Sequence, residues 1–196
     1  MLTARENIIL ASASPRRHAY LKELGLDFKV YATDIDETPK YREVPLDYAA
    51  RMVREKGEAV MEKYPESWVI AADTVVFLQK NILGKPQSRE NAVRTLMLLR
   101  GREHQVATAF GVGCVSKNIF HEETVVTRVK FSFFSEETAR AYAATGEPTD
   151  KAGAYGIQGM GAIFVEELQG SCSNVVGLPL CQLIEALYKY GIVETQ

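Results

Sequence analysis

The sequence is poor in the residues that staple or metallate a small protein. Three cysteines stand among 196 residues, Cys114, Cys172 and Cys181. Their odd number, without CxxC spacing or histidine partners, excludes a disulfide framework and a zinc site and suits a reducing cytoplasm. The three histidines, His18, His104 and His121, have neither metal spacing nor a triad around them and read as structural or exposed. Long apolar runs are missing too. Residues 68–78 come nearest, but Asp73 breaks them, and nothing approaches the ~18 residues of a membrane span. Residues 8–13 fall short of the ~7 apolar residues of a signal-peptide core. Neither sign of charge dominates: a formal net charge of -2 gives no basic field for nucleic acid, so any anion must be bound locally. GxGxxG, a Walker loop and a GxSxG elbow are all absent, Ser171 and Ser173 merely flanking Cys172.

What the chain has is length enough for a core. At 196 residues it can bury roughly 70% of the surface of its unfolded form. Without a repeat, low-complexity tract or linker it reads as one domain, residues 1–196. Residues 8–11 form a strand, and 15–24 a helix with Tyr20, Leu21 and Leu24 on one face and Gly25 as its stop. A strand over 28–32 leads into an acidic, proline-marked loop, 33–44. Pro45 opens a helix whose Leu46, Ala49, Ala50, Val53 and Val60 mark the buried face, with Lys56 near its edge. Residues 68–78 are a β-branched strand, turned back at 79–81 toward a return strand beginning at Ile82 and Leu83. A helix over 88–99 carries Val93, Leu96 and Met97 inward and stops at Gly101. Two long strands, 104–115 and 119–133, are joined by Ser116-Lys117-Asn118. Ser135 caps a helix that ends before Gly146, residues 146–161 are glycine-rich and irregular, 162–168 are a strand, and 179–190 close the chain as a helix. The pattern predicts an α/β protein with one mixed sheet flanked by helices.

Several groups can carry chemistry. Ser12-Ala13-Ser14-Pro15-Arg16-Arg17 joins the first strand to the first helix. Free backbone N–H groups, two hydroxyls, the helix dipole and two arginines are what an oxyanion needs. The same residues also make a Ser-capped surface helix with solvated arginines. Asp73 interrupts an apolar strand, where a carboxylate is costly unless paired, hydrogen-bonded or bound to metal. It is read as functional, with a structural ion pair as the alternative. Asp34-Ile35-Asp36-Glu37-Thr38, taken alone, reads first as a solvated loop, though it offers oxygens to a hard cation, and Asp34, Asp36 and Thr38 approach the DxDxT motif of haloacid-dehalogenase-type phosphatases. Lys56, Lys85 and Lys151 can converge on a polyphosphate or stay solvated. In residues 152–161, glycines allow close backbone approach, Tyr155 offers a stacking face and Gln158 an amide able to read a base edge, unless the segment is simply a flexible loop.

With residues 12–17, Asp36-Glu37, Ala72-Asp73-Thr74, Gly84-Lys85-Pro86, Gly146-Glu147-Pro148, 150–159 and 174–180 in this order, the chain resembles the Maf family of nucleoside triphosphate pyrophosphatases nearly end to end. The resemblance implies an ITPase-like α/β fold with a long twisted sheet, two lobes and a nucleotide cleft between them. It also implies a divalent cation, Mg or Mn, and a homodimer. Within the family the chain looks like the dTTP/UTP branch, because Arg16, Thr74 and Gln158 stand at that branch's base-specificity positions, where a sister branch acting on 7-methyl-GTP differs. By the same resemblance Asp73 matches the proton acceptor, and Glu37 with Asp73 the metal side. Ser12, Arg17, Lys56 and Lys85 match positions lining the phosphates. Cys172 departs from the pattern, standing where an aromatic residue is expected. The implied reaction is attack of water on the α-phosphorus of a pyrimidine nucleoside triphosphate, releasing pyrophosphate, in the cytoplasm and without nucleic acid or membrane. Two other readings stand beside it: a dehalogenase-like phosphatase using Asp34 or Asp36 as nucleophile, and a non-catalytic nucleotide-binding regulator of cell division.

Overall fold

The structure, a computed structural model, describes residues 2–195. Continuous apolar runs build its sheet. The strand β1 is Leu2–Ala4, β2 Ile8–Ala11, β3 Lys29–Val30, β4 Trp68–Leu78 and β5 Asn81–Ile82, followed by β6 (Glu103–Cys114), β7 (Ile119–Phe131), β8 (Val165–Gln169) and β9 (Val193–Thr195). β2 is buried at every position and β4 at nearly every one, as strands covered on both faces must be. The two run parallel, Ile8 beside Trp68 and Ala11 beside Ala71, and β3 lies parallel along the other edge of β2. The full order is β3-β2-β4-β6-β7-β8, with β5 antiparallel beside β4 and β8 antiparallel to β7, so the seven-stranded sheet is mixed as expected. β1 and β9 form a separate antiparallel pair.

The helices are α1 (Pro15–Glu23), α2 (Pro45–Met61), α3 (Arg89–Leu99), α4 (Glu136–Ala144), α5 (Cys172–Val176) and α6 (Leu180–Lys189). Ser88 and Ser135 cap α3 and α4 by accepting from the amides of Asn91 and Thr138, each at 3.1 Å. Proline at the start of α1 and α2 is tolerated because the first-turn amide has no helical partner to lose. Among the described residues no helix is long and apolar enough to cross a membrane.

The chain divides into two compact units. The first holds residues up to Asp73, Thr108–Val125 and the chain from Gly177 onward; the second holds Thr74–Ala107 and Val126–Val176. Leu10, Leu21, Trp68, Ile70, Phe110 and Leu183 anchor the core of the first. Leu96, Leu99, Phe131, Tyr155 and Phe164 anchor that of the second. Each fully buried side chain of this size contributes about 1.5–3 kcal/mol of burial free energy.

Several elements differ from the sequence reading. On α2, Leu46 lies in the first turn and is exposed, while Met52 and Lys56 complete the buried 3–4 spacing. The strand expected at 28–32 is two residues long. The one expected from 162 begins at Val165, because Met160–Phe164 turn as a 3₁₀ helix. The segment 146–161 is largely 3₁₀ turns, and α5 is an unforeseen single turn.

Candidate active site

The parallel pair β2 and β4 ends at a crossing of polar side chains, the place where open α/β sheets hold ligands. Ser12 follows the last residue of β2 and Asp73 lies two residues beyond Ala71, the partner of Ala11. The Ser12 hydroxyl accepts from the Ser14 amide at 3.2 Å and from Arg17 Nη1 at 2.9 Å. Arg17 Nε donates to the Gly177 carbonyl at 2.8 Å, and the Ser14 hydroxyl accepts from the Arg17 amide at 3.5 Å. Arg17 is buried. Burial lowers its guanidinium from the ordinary value, while the charges of Asp73 and Glu37 act against that fall and Arg16 adds to it. The guanidinium is thus buried and fixed on a serine and a carbonyl, in charge range of two carboxylates, and not solvated on a helix surface. Arg16 is half-buried on the next position of α1.

Asp73 is buried on β4, and α2 brings Lys56, also buried, against it: Lys56 Nζ lies 2.7 Å from Asp73 Oδ1. The same ammonium lies 2.6 Å from Glu37 Oε1, whose side chain is half-exposed. Three residues of the sequence reading, dispersed over 37 positions of the chain, thus form one cluster. Two carboxylate oxygens meeting at one cation fit a divalent ion as well as an ammonium. Such an ion takes one or two carboxylates and fills its remaining positions with water and phosphate oxygens.

The loop bearing Glu37 is held by residues that sequence reasoning passed over. Tyr48 donates to the Glu37 carbonyl at 3.0 Å, and Arg51 Nη2 to that of Thr38 at 3.1 Å. Arg51 grips Glu43 with two bonds, 2.6 and 2.8 Å, and this pairing pushes the Glu43 carboxyl down to about 2. Burial, together with the charges of Asp73 and Glu37, pushes the Tyr48 phenol up, so it remains a donor. The only sequence signal was Arg51 and Glu55 at i,i+4, which pair at 3.2 Å. Asp34 and Asp36 are exposed in the same loop. Asp36 Oδ1 accepts from the Thr38 amide at 2.9 Å, and its bonds with Thr38 hold its carboxyl below the usual range. An Asx turn on an exposed loop after an edge strand is not the buried nucleophile that the DxDxT reading requires.

The second unit holds the remaining residues. Thr74 is half-buried on β4, and Lys85 and Gln158 are exposed on loops. The Gly153 amide donates to the carbonyls of Leu83 at 2.9 Å and Gly84 at 3.3 Å, which ties the Lys85 loop to residues 152–154. Tyr155 is no stacking platform. Its buried ring packs 4.7 Å from Phe131, and its hydroxyl lies 2.9 Å from His104 Nε2. Lys151 belongs to a local network, donating to the Glu147 carbonyl at 2.7 Å and pairing with Asp150 at 2.6 Å.

The sequence matches the family described as Maf-like protein over residues 7–190. The chain belongs to the Maf family. Similar curated proteins include the dTTP/UTP pyrophosphatase of Desulfotalea psychrophila, 53% identical with 95% of each chain covered. That of Geotalea uraniireducens is 45% identical over 99% of this chain and 100% of its own, and that of Myxococcus xanthus 47% identical over 94% and 93%. Among solved structures, the Ham1 protein of Staphylococcus aureus shares the fold at a TM-score of 0.54 and 13% identity, with 95% of this chain and 100% of that one covered. The α/β architecture expected of a Maf-family chain is the one found.

Proposed function

We propose that this Maf-family chain hydrolyses dTTP and UTP to the monophosphate and pyrophosphate, as a cytoplasmic homodimer using Mg²⁺ or Mn²⁺. The observation that carries the reading is the buried Lys56 ammonium held between Asp73 and Glu37, two carboxylates whose charges also act on Arg17. The names of relatives that match almost the whole chain support the substrate class. The Ser12 hydroxyl and the Arg17 guanidinium receive phosphate oxygens at the start of α1, and Lys56 and Lys85 add charge-assisted bonds as the triphosphate enters. Glu37 and Asp73 would hold the divalent cation, which when bound offsets charge developing on the phosphate oxygens. Asp73 accepts the proton of the attacking water as its oxygen bonds to the α-phosphorus. The bond from that phosphorus to the bridging oxygen breaks, and pyrophosphate leaves with the electron pair. Arg16, Thr74 and Gln158 select the base.

Turnover of dTTP and UTP in ¹⁸O-labelled water tests the reading. Label is expected in the monophosphate, beside an equal amount of unlabelled pyrophosphate. Label in pyrophosphate, or diphosphate and inorganic phosphate as main products, would overturn it. Asp73→Asn is nearly isosteric and is expected to fold while losing about 10²-fold or more in kcat. A folded variant with near-normal kcat would move proton acceptance to another residue.

A further inference from the structure

Gln158 stands near the exposed tip of the segment 156–161, and both flanks of that tip return to one carboxylate. Glu147 Oε1 accepts from the Tyr142 hydroxyl at 2.9 Å and from the Gly161 amide at 3.1 Å, and Oε2 accepts from the Met160 amide at 2.9 Å. The Tyr142 hydroxyl in turn accepts from the Gly156 amide at 3.1 Å. Residues 156, 160 and 161 are therefore tied to a single pair of side chains, and Gln158 lies between the ties.

The glycines of this segment serve the same contact. A Cβ at Gly159 would stand 2.5 Å from Glu147 Oε1, and one at Gly161 would stand 2.7 Å from the Tyr142 hydroxyl. At Gly156 it would stand 2.7 Å from Lys151 Cε. The backbone closes on Glu147, Tyr142 and Lys151, a use of glycine different from the ligand approach expected of it. Glu147 is itself anchored, since its amide donates to Thr145 Oγ1 at 3.2 Å and its carbonyl accepts from Lys151. Burial works against its ionisation, but bonds from Gly161, Met160 and Tyr142 and the charge of Lys151 together hold its carboxyl below the usual range. With both oxygens engaged by the loop, this carboxylate is a fixed acceptor for backbone amides.

We propose that Glu147, acting with Tyr142, is the positioning residue that sets the place of Gln158 and through it the preference for a uracil or thymine edge. The inference rests on the reading that Gln158 contacts the base. Discrimination by an amide depends on geometry, and a displacement of about 1 Å can cost on the order of 10²-fold. Glu147→Gln replaces one accepting oxygen by a donor that faces a backbone N–H, and Tyr142→Phe removes the link to Gly156 while keeping the ring.

The experiment compares kcat and KM for UTP and CTP, which share sugar and phosphates and differ at the base edge. The variants are Glu147→Gln, Tyr142→Phe, Gln158→Ala and the double variant Glu147→Gln with Gln158→Ala, each checked for folding by circular dichroism. Gln158→Ala is expected to lower the UTP-to-CTP ratio of kcat/KM. Glu147→Gln and Tyr142→Phe are expected to lower that ratio by about tenfold or more, chiefly through KM for UTP. Glu147→Gln should lower it no further once Gln158 is gone, because the two act through one contact. Equal losses for UTP and CTP, or a further fall of the ratio in the double variant, would overturn the positioning role while leaving base reading by Gln158 intact. An unchanged ratio in Gln158→Ala would overturn both.

Discussion

At the scale of single residues, the structure separates polar groups placed for chemistry from polar groups placed for packing. His104 is of the second kind. It is buried against Phe131 and Tyr155, its Nε2 meets the Tyr155 hydroxyl at 2.9 Å, and burial pushes its pKa down from 6.5 to about 4. The neutral tautomer with hydrogen on Nε2 fits best, because it leaves an acceptor and not a donor at the partnerless Nδ1. Between the two pKa values the unfolded chain binds a proton that the folded chain refuses. The stability this residue contributes is therefore complete above about pH 6.5 and lost as the pH falls through about 4, on the order of 3 kcal/mol in all. Urea unfolding at pH 7 and pH 5 is expected to show a larger loss in the native sequence than in His104→Gln. Equal losses would mean that the buried imidazole accepts its proton without unfolding. Lys56 shows why such placement is hard to read beforehand: a lysine at a helix edge is usually solvated, and only the fold reveals that Asp73 and Glu37 wait for it.

Elements with strong local patterns were legible in the sequence. β2, β4, α2, α3, α4 and α6 are where apolar periodicity, proline starts and serine caps put them. The missed elements have no local cause. β1 and β9 are three residues each and exist only by pairing ends of the chain that are remote in sequence, and α5 is too short for periodicity to show. The candidate site followed the same rule: Asp73 was conspicuous as a charge in an apolar strand, while Tyr48, Arg51 and Glu147 act through contacts that spacing does not encode. Gly153 links the turns of the second unit to its strands. Its φ is +72°, and an added Cβ would stand 2.8 Å from Val76 Cγ1 on β4. Gly153→Ala is expected to cost about 1–3 kcal/mol, read as a lower urea midpoint at unchanged m-value. Unaltered stability would show that β4 yields to the methyl group.

On the scale of the whole molecule, the chain passes between its two units at 73/74, 107/108, 125/126 and 176/177, and the first three passages lie inside β4, β6 and β7. Each of these three strands is continuous through its passage, so unfolding is expected to be one cooperative transition despite two separate cores. Trp68, the sole tryptophan, is buried in the first unit and reports on it alone. Its fluorescence in urea should trace the same curve as far-UV circular dichroism, and a displaced curve would show that the units melt separately. The passage inside β4 also divides the proposed labour, since Asp73 ends the first stretch of the first unit and Thr74 opens the second. In the proposed reaction, proton transfer and, Lys85 excepted, phosphate binding draw on Ser12, Arg17, Glu37, Lys56 and Asp73 of the first unit; of the residues proposed to select the base, Thr74 and Gln158 belong to the second. On the proposed roles, heritable change confined to 74–107 and 126–176, with Arg16 the one outlying position, would suffice to carry a lineage from one nucleobase to another while Asp73, Glu37 and Lys56 pass down unaltered.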